Sequence, residues 1–302
     1  MNIALCTDDN YAKYCMITIV SILENNADTK CCVYVLTDSL SEKNKNLFKY
    51  LSDYYKQQIL VTVIPPNSFE NLKVRSRYPK SMYYRFLLPD IVHDEKVLYL
   101  DCDIINRKSL LNFYDTDLTG KAAAVVEDAQ GDDVLLHNRI KYSGTYFNSG
   151  VMLMNLDYWR KHNIKEQLVE FIENNPDCCY YPDQDALNIV LTDKVIFTPY
   201  IYNCQQSWYM PLDRILFSYT KWEQVYNSIQ DPVIVHYTST NKPWFKECTH
   251  PHNEWFIQYA LIHKKIGFKS KRRISITRSF VSKLIEYIIY KLQNSILVVK
   301  RQ

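Results

Sequence analysis

Residues 97–103 read Val97-Leu98-Tyr99-Leu100-Asp101-Cys102-Asp103, an apolar run that ends in two acids spaced i and i+2. Side chains on an extended chain alternate faces, so Asp101 and Asp103 point to the same side, where two carboxylates repel unless a cation lies between them. A hard divalent ion suits such a pair. At the carboxyl end of a central strand in an open α/β sheet, where ligand crevices form, paired aspartates hold Mg²⁺ or Mn²⁺ against a diphosphate. The alternative is a plain cap after a buried strand, since Asp-x-Asp is a common pattern.

Outward from this stretch, short β-rich runs alternate with helical periodicity. Residues 3–6, 33–36, 59–64, 122–126 and 151–155 read as further strands. Between them, residues 14–24 are apolar almost all round and predict a buried helix, while Ser41 opens a polar helix to about Tyr55. Asp157 is placed to cap another, with Ile164, Leu168, Phe171 and Ile172 on one stripe. Asp185 is expected to begin a helix over 186–191. This alternation predicts an α/β fold with a mostly parallel central sheet flanked by helices.

The chain has 302 residues and is 47% hydrophobic, enough for a substantial core. Its nine cysteines include no Cys-x-x-Cys pair, which argues against a zinc knuckle. The opening Met-Asn-Ile-Ala-Leu-Cys-Thr-Asp-Asp lacks a positively charged leader, so a reducing cytosol with free thiols is expected. No apolar run reaches the roughly 18 to 20 residues that span a bilayer. Only five glycines occur, at 120, 131, 144, 150 and 267, so neither a Gly-x-Gly-x-x-Gly turn nor a Gly-Lys-Ser/Thr phosphate loop can be built. A bound nucleotide would need a metal and side chains to neutralise its phosphates.

The net charge of +3 conceals an asymmetry. From Lys264 onward there are eleven basic residues and one acid, Glu286, whereas the preceding body carries a net charge of −7. A uniformly basic nucleic-acid binder would look different. Beyond Ser279, Val281, Leu284, Ile285, Ile288, Leu292, Ile296 and Val299 fall on one helical stripe, and Lys269, Lys271, Arg272, Arg273 and Arg278 lie upstream. Such a basic amphipathic helical tail suits an anionic membrane surface; docking onto the core or a partner subunit is the other reading.

Polar clusters fall at strand ends or breaks: Thr7-Asp8-Asp9-Asn10-Tyr11, Tyr83-Tyr84-Arg85, Glu127-Asp128, Phe147-Asn148-Ser149-Gly150, Pro182-Asp183-Gln184-Asp185, and His236 followed by Lys242-Pro243-Trp244. In this order they resemble the family 8 glycosyltransferases, retaining enzymes of the Rossmann-like GT-A fold, and especially the bacterial lipooligosaccharide and lipopolysaccharide galactosyl- and glucosyltransferases. The resemblance runs from residue 2 to about residue 260 and implies a catalytic domain over 1–262, with 263–302 as a membrane-association segment. It implies Asp101, Asp103 and His236 as metal ligands, a mixed O/N set that suits Mn²⁺ better than Mg²⁺. It implies a UDP-hexose donor held by Cys6, Thr7, Asp8, Asn10, Tyr11, Arg85, Asp101, Cys102, Asp128, Asn148, Ser239 and Lys242, with Asp8 and Tyr11 on the uracil ring. Ser239 stands where many members have glycine. Catalysis falls to Asp183, Gln184 and Lys242, with Lys242 facing the leaving diphosphate. Gln184 occupies the candidate nucleophile position, and a neutral amide is a poor nucleophile, which favours same-face transfer over a covalent intermediate. The acceptor is expected to be a saccharide or glycolipid, and the location cytoplasmic, at the inner face of the membrane. The remaining alternatives are a nucleotidyltransferase or phosphohydrolase sharing only the paired aspartates, and a non-catalytic membrane-surface adaptor.

Overall fold

A computed structural model describes residues 1–65, 67–72, 79–131, 134–175, 179–209 and 219–272. Among the described residues ten strands form: β1 (Asn2–Cys6), β2 (Cys32–Thr37), β3 (Gln58–Val63), β4 (Lys96–Leu100), β5 (Ile104–Asn106), β6 (Ala123–Glu127), β7 (Phe147–Asn155), β8 (Val195–Phe197), β9 (Cys204–Gln205) and β10 (Ile234–His236). Seven make one sheet in the order β3-β2-β1-β4-β7-β6-β8. Within it β3, β2, β1 and β4 run parallel, β7 is antiparallel to both β4 and β6, and β8 is parallel to β6. The expected helix-flanked, mostly parallel α/β sheet is therefore present. Its two faces are covered by separate apolar layers, one built around helix α1 (Ala12–Asn25), the other around Trp159, Leu168 and Leu187.

Helix α1 forms where the all-round apolar run predicts it and is buried from Tyr14 to Leu23. The polar helix α2 (Glu42–Tyr55) starts at Ser41, whose Oγ accepts from Asn44 N, and stops at Lys56 in the left-handed region with φ 52°. The helix after β7, Leu156–Lys161, differs from expectation. Asn155, not Asp157, caps it by accepting from Tyr158 N at 3.0 Å, because its oxygen sits two residues closer to the strand end. Asp157 instead pairs with Arg160. Asn163, at φ 50°, then breaks the run, so the stripe from Ile164 belongs to a second helix, Ile164–Asn174. The helix Pro182–Val190 begins three residues before Asp185. Asp185 anchors its start from inside the first turn: the buried carboxylate accepts from Tyr180 N at 2.7 Å and Tyr181 N at 2.9 Å.

A second, three-stranded sheet of order β5-β10-β9 was not expected as a unit. Its β10, Ile234–His236, alone lies in a short apolar run, Val233-Ile234-Val235. This small sheet brings His236 opposite Ile104, beside Asp103. The amphipathic stripe beyond Ser279, with Arg273 and Arg278, lies outside the described residues. Among the described residues, no helix is long and apolar enough to cross a membrane.

Candidate active site

Strand β4 ends at Leu100, and the two acids follow at once, one on each side of Cys102. Asp101 N donates to Gly150 O at 2.9 Å, which locks the first acid to β7. The ligand atoms of Asp101, Asp103 and His236 lie within 4.8 Å of one another. His236 Nε2 stands 3.2 Å from Asp103 Oδ1 and 3.7 Å from Asp101 Oδ2.

The tautomer of His236 follows from its other nitrogen. Asn148 Oδ1 accepts from Gly150 N at 3.1 Å and from Asn203 Nδ2 at 2.9 Å, so Asn203 turns its oxygen to His236 Nδ1, 2.9 Å away. Nδ1 therefore carries a proton, and in the neutral ring Nε2 offers its lone pair to the same space as two carboxylates. Three lone-pair donors converging on one point form a cage for a cation. Glycine is needed at its floor: a Cβ on Gly150 would stand 2.2 Å from His236 Cε1 and 2.5 Å from Asp101 Oδ2. A divalent ion fits this donor set and this cradle.

Lys242 closes the opposite side. Its ammonium pairs with Asp103 Oδ2 and donates to Tyr237 O at 2.7 Å. Burial alone would lift the Asp103 carboxyl, but the Lys242 ammonium opposes it, and the group is held well below the usual carboxylate range. Behind Lys242, Trp244 is buried and stacks on Tyr14 with ring centroids 3.8 Å apart. The Lys-Pro-Trp loop is thus anchored by its tryptophan while its lysine faces the acids. Ser239 is exposed, accepts from Asn241 N at 3.0 Å and is not among the positive-φ residues, so serine replaces glycine there without backbone strain.

Arg85 is buried and fully engaged. Its Nη2 reaches Asp101 Oδ1 at 3.1 Å and Asp183 Oδ2 at 3.2 Å, Nη1 donates to Ser149 O at 2.7 Å, and Nε donates to Met82 O at 3.0 Å. Tyr99 OH adds a 2.7 Å bond to the same Asp101 oxygen, leaving Oδ2 toward the cage. Burial raises the Asp183 carboxyl against the pull of Arg85. Gln184 Oε1 accepts from Ser149 N at 3.0 Å while its Nε2 donates to Asp128 Oδ2 at 3.2 Å. Asp128, raised by burial, also takes Asn148 Nδ2 at 2.9 Å and Gln130 N at 2.7 Å. Asp128, Asn148, Asn203 and His236 therefore form one chain of hydrogen bonds.

At the mouth, between β1 and α1, Asp8 Oδ1 accepts from Tyr11 N at 2.8 Å, Asn10 is exposed, and the Tyr11 ring meets Trp244 edge-on at 5.7 Å. Cys6, Thr7 and Cys102 lie beneath: Thr7 N donates to Leu36 O at 2.9 Å and Cys102 Sγ lies 3.1 Å from Cys6 O. Burial pushes the Cys6 thiol up, and the bond to Cys15 together with burial does the same for Cys102, so both stay protonated. The structure thus brings Arg85, Asp101, Asp103, Asp128, Asn148, Asp183, Gln184, His236 and Lys242 into one hydrogen-bonded cluster, with Asp8, Asn10 and Tyr11 on the loop after β1. Sequence reasoning missed Gly150 as a requirement, and Asn203 and Tyr99 altogether. The close match of glycine to the Asn-Ser-Gly cluster was the one available signal; a lone asparagine after a tyrosine-rich turn offers none.

Comparison with known proteins agrees with this geometry. The profile of "Glycosyl transferase family 8" matches residues 2–248. General stress protein A of Bacillus subtilis is 31% identical over 86% of this chain and 92% of its own length. Lipopolysaccharide glucosyltransferase WaaO of Escherichia coli is 31% identical over 81% of this chain and 72% of its own. The crystal structure of galactosyltransferase LgtC with donor and acceptor sugar analogs superposes with a TM-score of 0.78 and 28% identity, covering 86% of this chain and 95% of that one. With the strand order, the paired aspartates and the matched profile all in register, the chain belongs to glycosyl transferase family 8.

Proposed function

We propose that this enzyme is a metal-dependent, retaining hexosyltransferase that moves galactose or glucose from a UDP-sugar to a saccharide or glycolipid acceptor. The observation that carries the reading is the Asp101, Asp103 and His236 cage with the His236 Nε2 lone pair turned into it. The names of the glucosyl- and galactosyltransferase relatives support a hexose and a lipopolysaccharide-type acceptor. A divalent ion in the cage supplies Lewis-acid neutralisation of the leaving diphosphate. Imidazole in the set favours Mn²⁺ over Mg²⁺. Lys242 adds a fixed ammonium on the same side, where negative charge grows as the sugar leaves. Asp8 keeps its second carboxylate oxygen for the uracil, and Tyr11 offers its ring to the base.

Retention is what the resemblance to family 8 implies. Within a retaining reaction, Asp183 is held by Arg85 and buried, and Gln184 is neutral, so neither offers a free carboxylate for a covalent intermediate. This favours transfer on one face, with the departing phosphate oxygen taking the acceptor proton. A nucleotidyltransferase has no use for the anchored Lys-Pro-Trp loop, and a vestigial site has no need of a complete ligand set.

UDP release from a UDP-hexose should require a divalent ion, with Mn²⁺ at least as effective as Mg²⁺. A panel of UDP-sugars, scored for slow hydrolysis without acceptor, checks this; undiminished release in EDTA would sink the reading.

For location we propose the cytoplasmic membrane surface. Burial and the neighbouring Lys43, Lys271 and Lys269 depress the Lys13 ammonium, so a basic patch on the body adjoins the basic residues of the tail. A chain ending at Arg272 should still hydrolyse the donor yet lose most co-sedimentation with anionic vesicles. Salt should weaken attachment of the intact chain in parallel, because screening shortens the reach of these charges. Vesicle binding unchanged by the cut would assign the tail to the core or to an oligomer interface.

A further inference from the structure

The stretch after the helix Asn253–Ile262 does not leave the body at once. His263 and Ile266 are buried, and His263 joins α2 through Tyr50 OH at 3.0 Å and Tyr55 OH at 2.8 Å. Gly267 turns the chain at φ 66°, and Phe268 packs edge-on against Phe256 at 5.8 Å. Lys13 Nζ donates to Gly267 O at 3.3 Å. The chain then reaches the Lys-Pro-Trp loop itself. Lys271 N donates to Trp244 O at 2.9 Å, Lys246 N donates to Lys271 O at 2.8 Å, and Phe245 and Lys271 form a parallel bridge. The same loop is braced from the other side by Tyr14, whose ring stacks on Trp244 and lies 5.6 Å from the Lys271 ammonium.

A surface loop has many conformations open to it, yet a charge that stabilises a leaving group must be fixed to within about half an ångström. Two interstrand bonds, placed two and four residues beyond Lys242, limit where that lysine can go. We propose that residues 267–271 are a strap whose backbone positions Lys242, making Lys271 a positioning residue that acts through its main chain and not its charge. This rests on the reading of Lys242 as the leaving-group cation. It gives the backbone of the segment after the helix Asn253–Ile262 a positioning role, although the family profile ends at residue 248.

Lys271→Pro removes the N–H that bonds Trp244 O, whereas Lys271→Ala removes only the charge. For UDP-hexose hydrolysis, Lys271→Pro should lower kcat by about tenfold to a hundredfold with KM changed less than about threefold, while Lys271→Ala stays within about twofold of the parent. Amide exchange supplies a readout independent of turnover. In the unmodified chain, UDP with Mn²⁺ should slow exchange at 267–271 together with 242–246. Lys271→Pro with parental kcat, an alanine variant as impaired as the proline one, or protection confined to 236–246 would each overturn the proposal. If the proline variant fails to fold, exchange in the unmodified chain decides. If no UDP-hexose is turned over at all, the functional reading fails while the exchange result still judges the strap.

Discussion

Gly150→Ala should abolish most turnover, by on the order of 10²-fold or more, since misplacing a reacting group by about an ångström costs that much. The added Cβ would meet His236 Cε1 at 2.2 Å and Asp101 Oδ2 at 2.5 Å, so something must move. Neither neighbour can yield cheaply. His236 is buried and held through Nδ1 by Asn203, and Asp101 is held through Oδ1 by Tyr99 and Arg85. The backbone of Gly150 is no freer, because its oxygen accepts from Asp101 N. The displaced atoms are two of the three proposed ligands, so Mn²⁺ should raise the melting temperature of the parent protein but not of the variant. Gly120→Ala is the control. Its Cβ meets nothing within 4 Å, and although φ 70° strains the backbone, the parental kcat should survive. A Gly150→Ala enzyme with parental kcat and Mn²⁺ dependence would show that the cage is not where the metal acts.

The same glycine marks where reading the sequence stops. Strand β4 is legible because it is an unbroken apolar run, and the acids after it mark its end; the strand stops at Leu100 and a turn, not the alternation of an extended chain, brings Asp101 and Asp103 together. Helix α1 is legible for a similar reason: burial on all sides leaves an unbroken apolar run. The small sheet is not, because β5 spans three residues and β9 two, too short for any periodicity to register. The first half of β7 reads as a polar cluster, since Asn148, Ser149 and Gly150 face the site and not a core. A register shift between Val125 and Val126, against β7, marks the irregularity there. What Gly150 makes room for is a side chain arriving from β10, far along the chain, and local sequence cannot encode that approach. Asn203 is invisible for the same reason: its role exists only once β9 and β10 lie side by side. The single helix expected from Asp157 divides in two at Asn163, which carries no strong breaker signal, although asparagine is among the residues that tolerate its left-handed backbone.

The acids, the histidine and the lysine could be named from motifs, but their coupling could not. Asp103 meets both His236 and Lys242. On the proposed function, Lys242 would have two partners: Asp103 in the free protein and a phosphate oxygen of the donor, toward which its ammonium would be freer if a divalent ion held by Asp101, Asp103 and His236 neutralised that carboxylate. Lys242→Ala should therefore lower kcat by on the order of 10²-fold or more, comparable to deleting one preorganised donor from a charge-stabilising site. Donor KM should change far less, because the interaction strengthens as charge develops on the leaving group and not when the ground state binds. Lys242→Arg should recover little: a planar fork cannot reproduce an ammonium that fits between Asp103 Oδ2 and Tyr237 O. Steady-state hydrolysis of the UDP-hexose with saturating Mn²⁺ measures both constants. A variant with parental kcat and a raised KM would make Lys242 a binding residue only, and the charge that departs with UDP would have to be met by the cage alone.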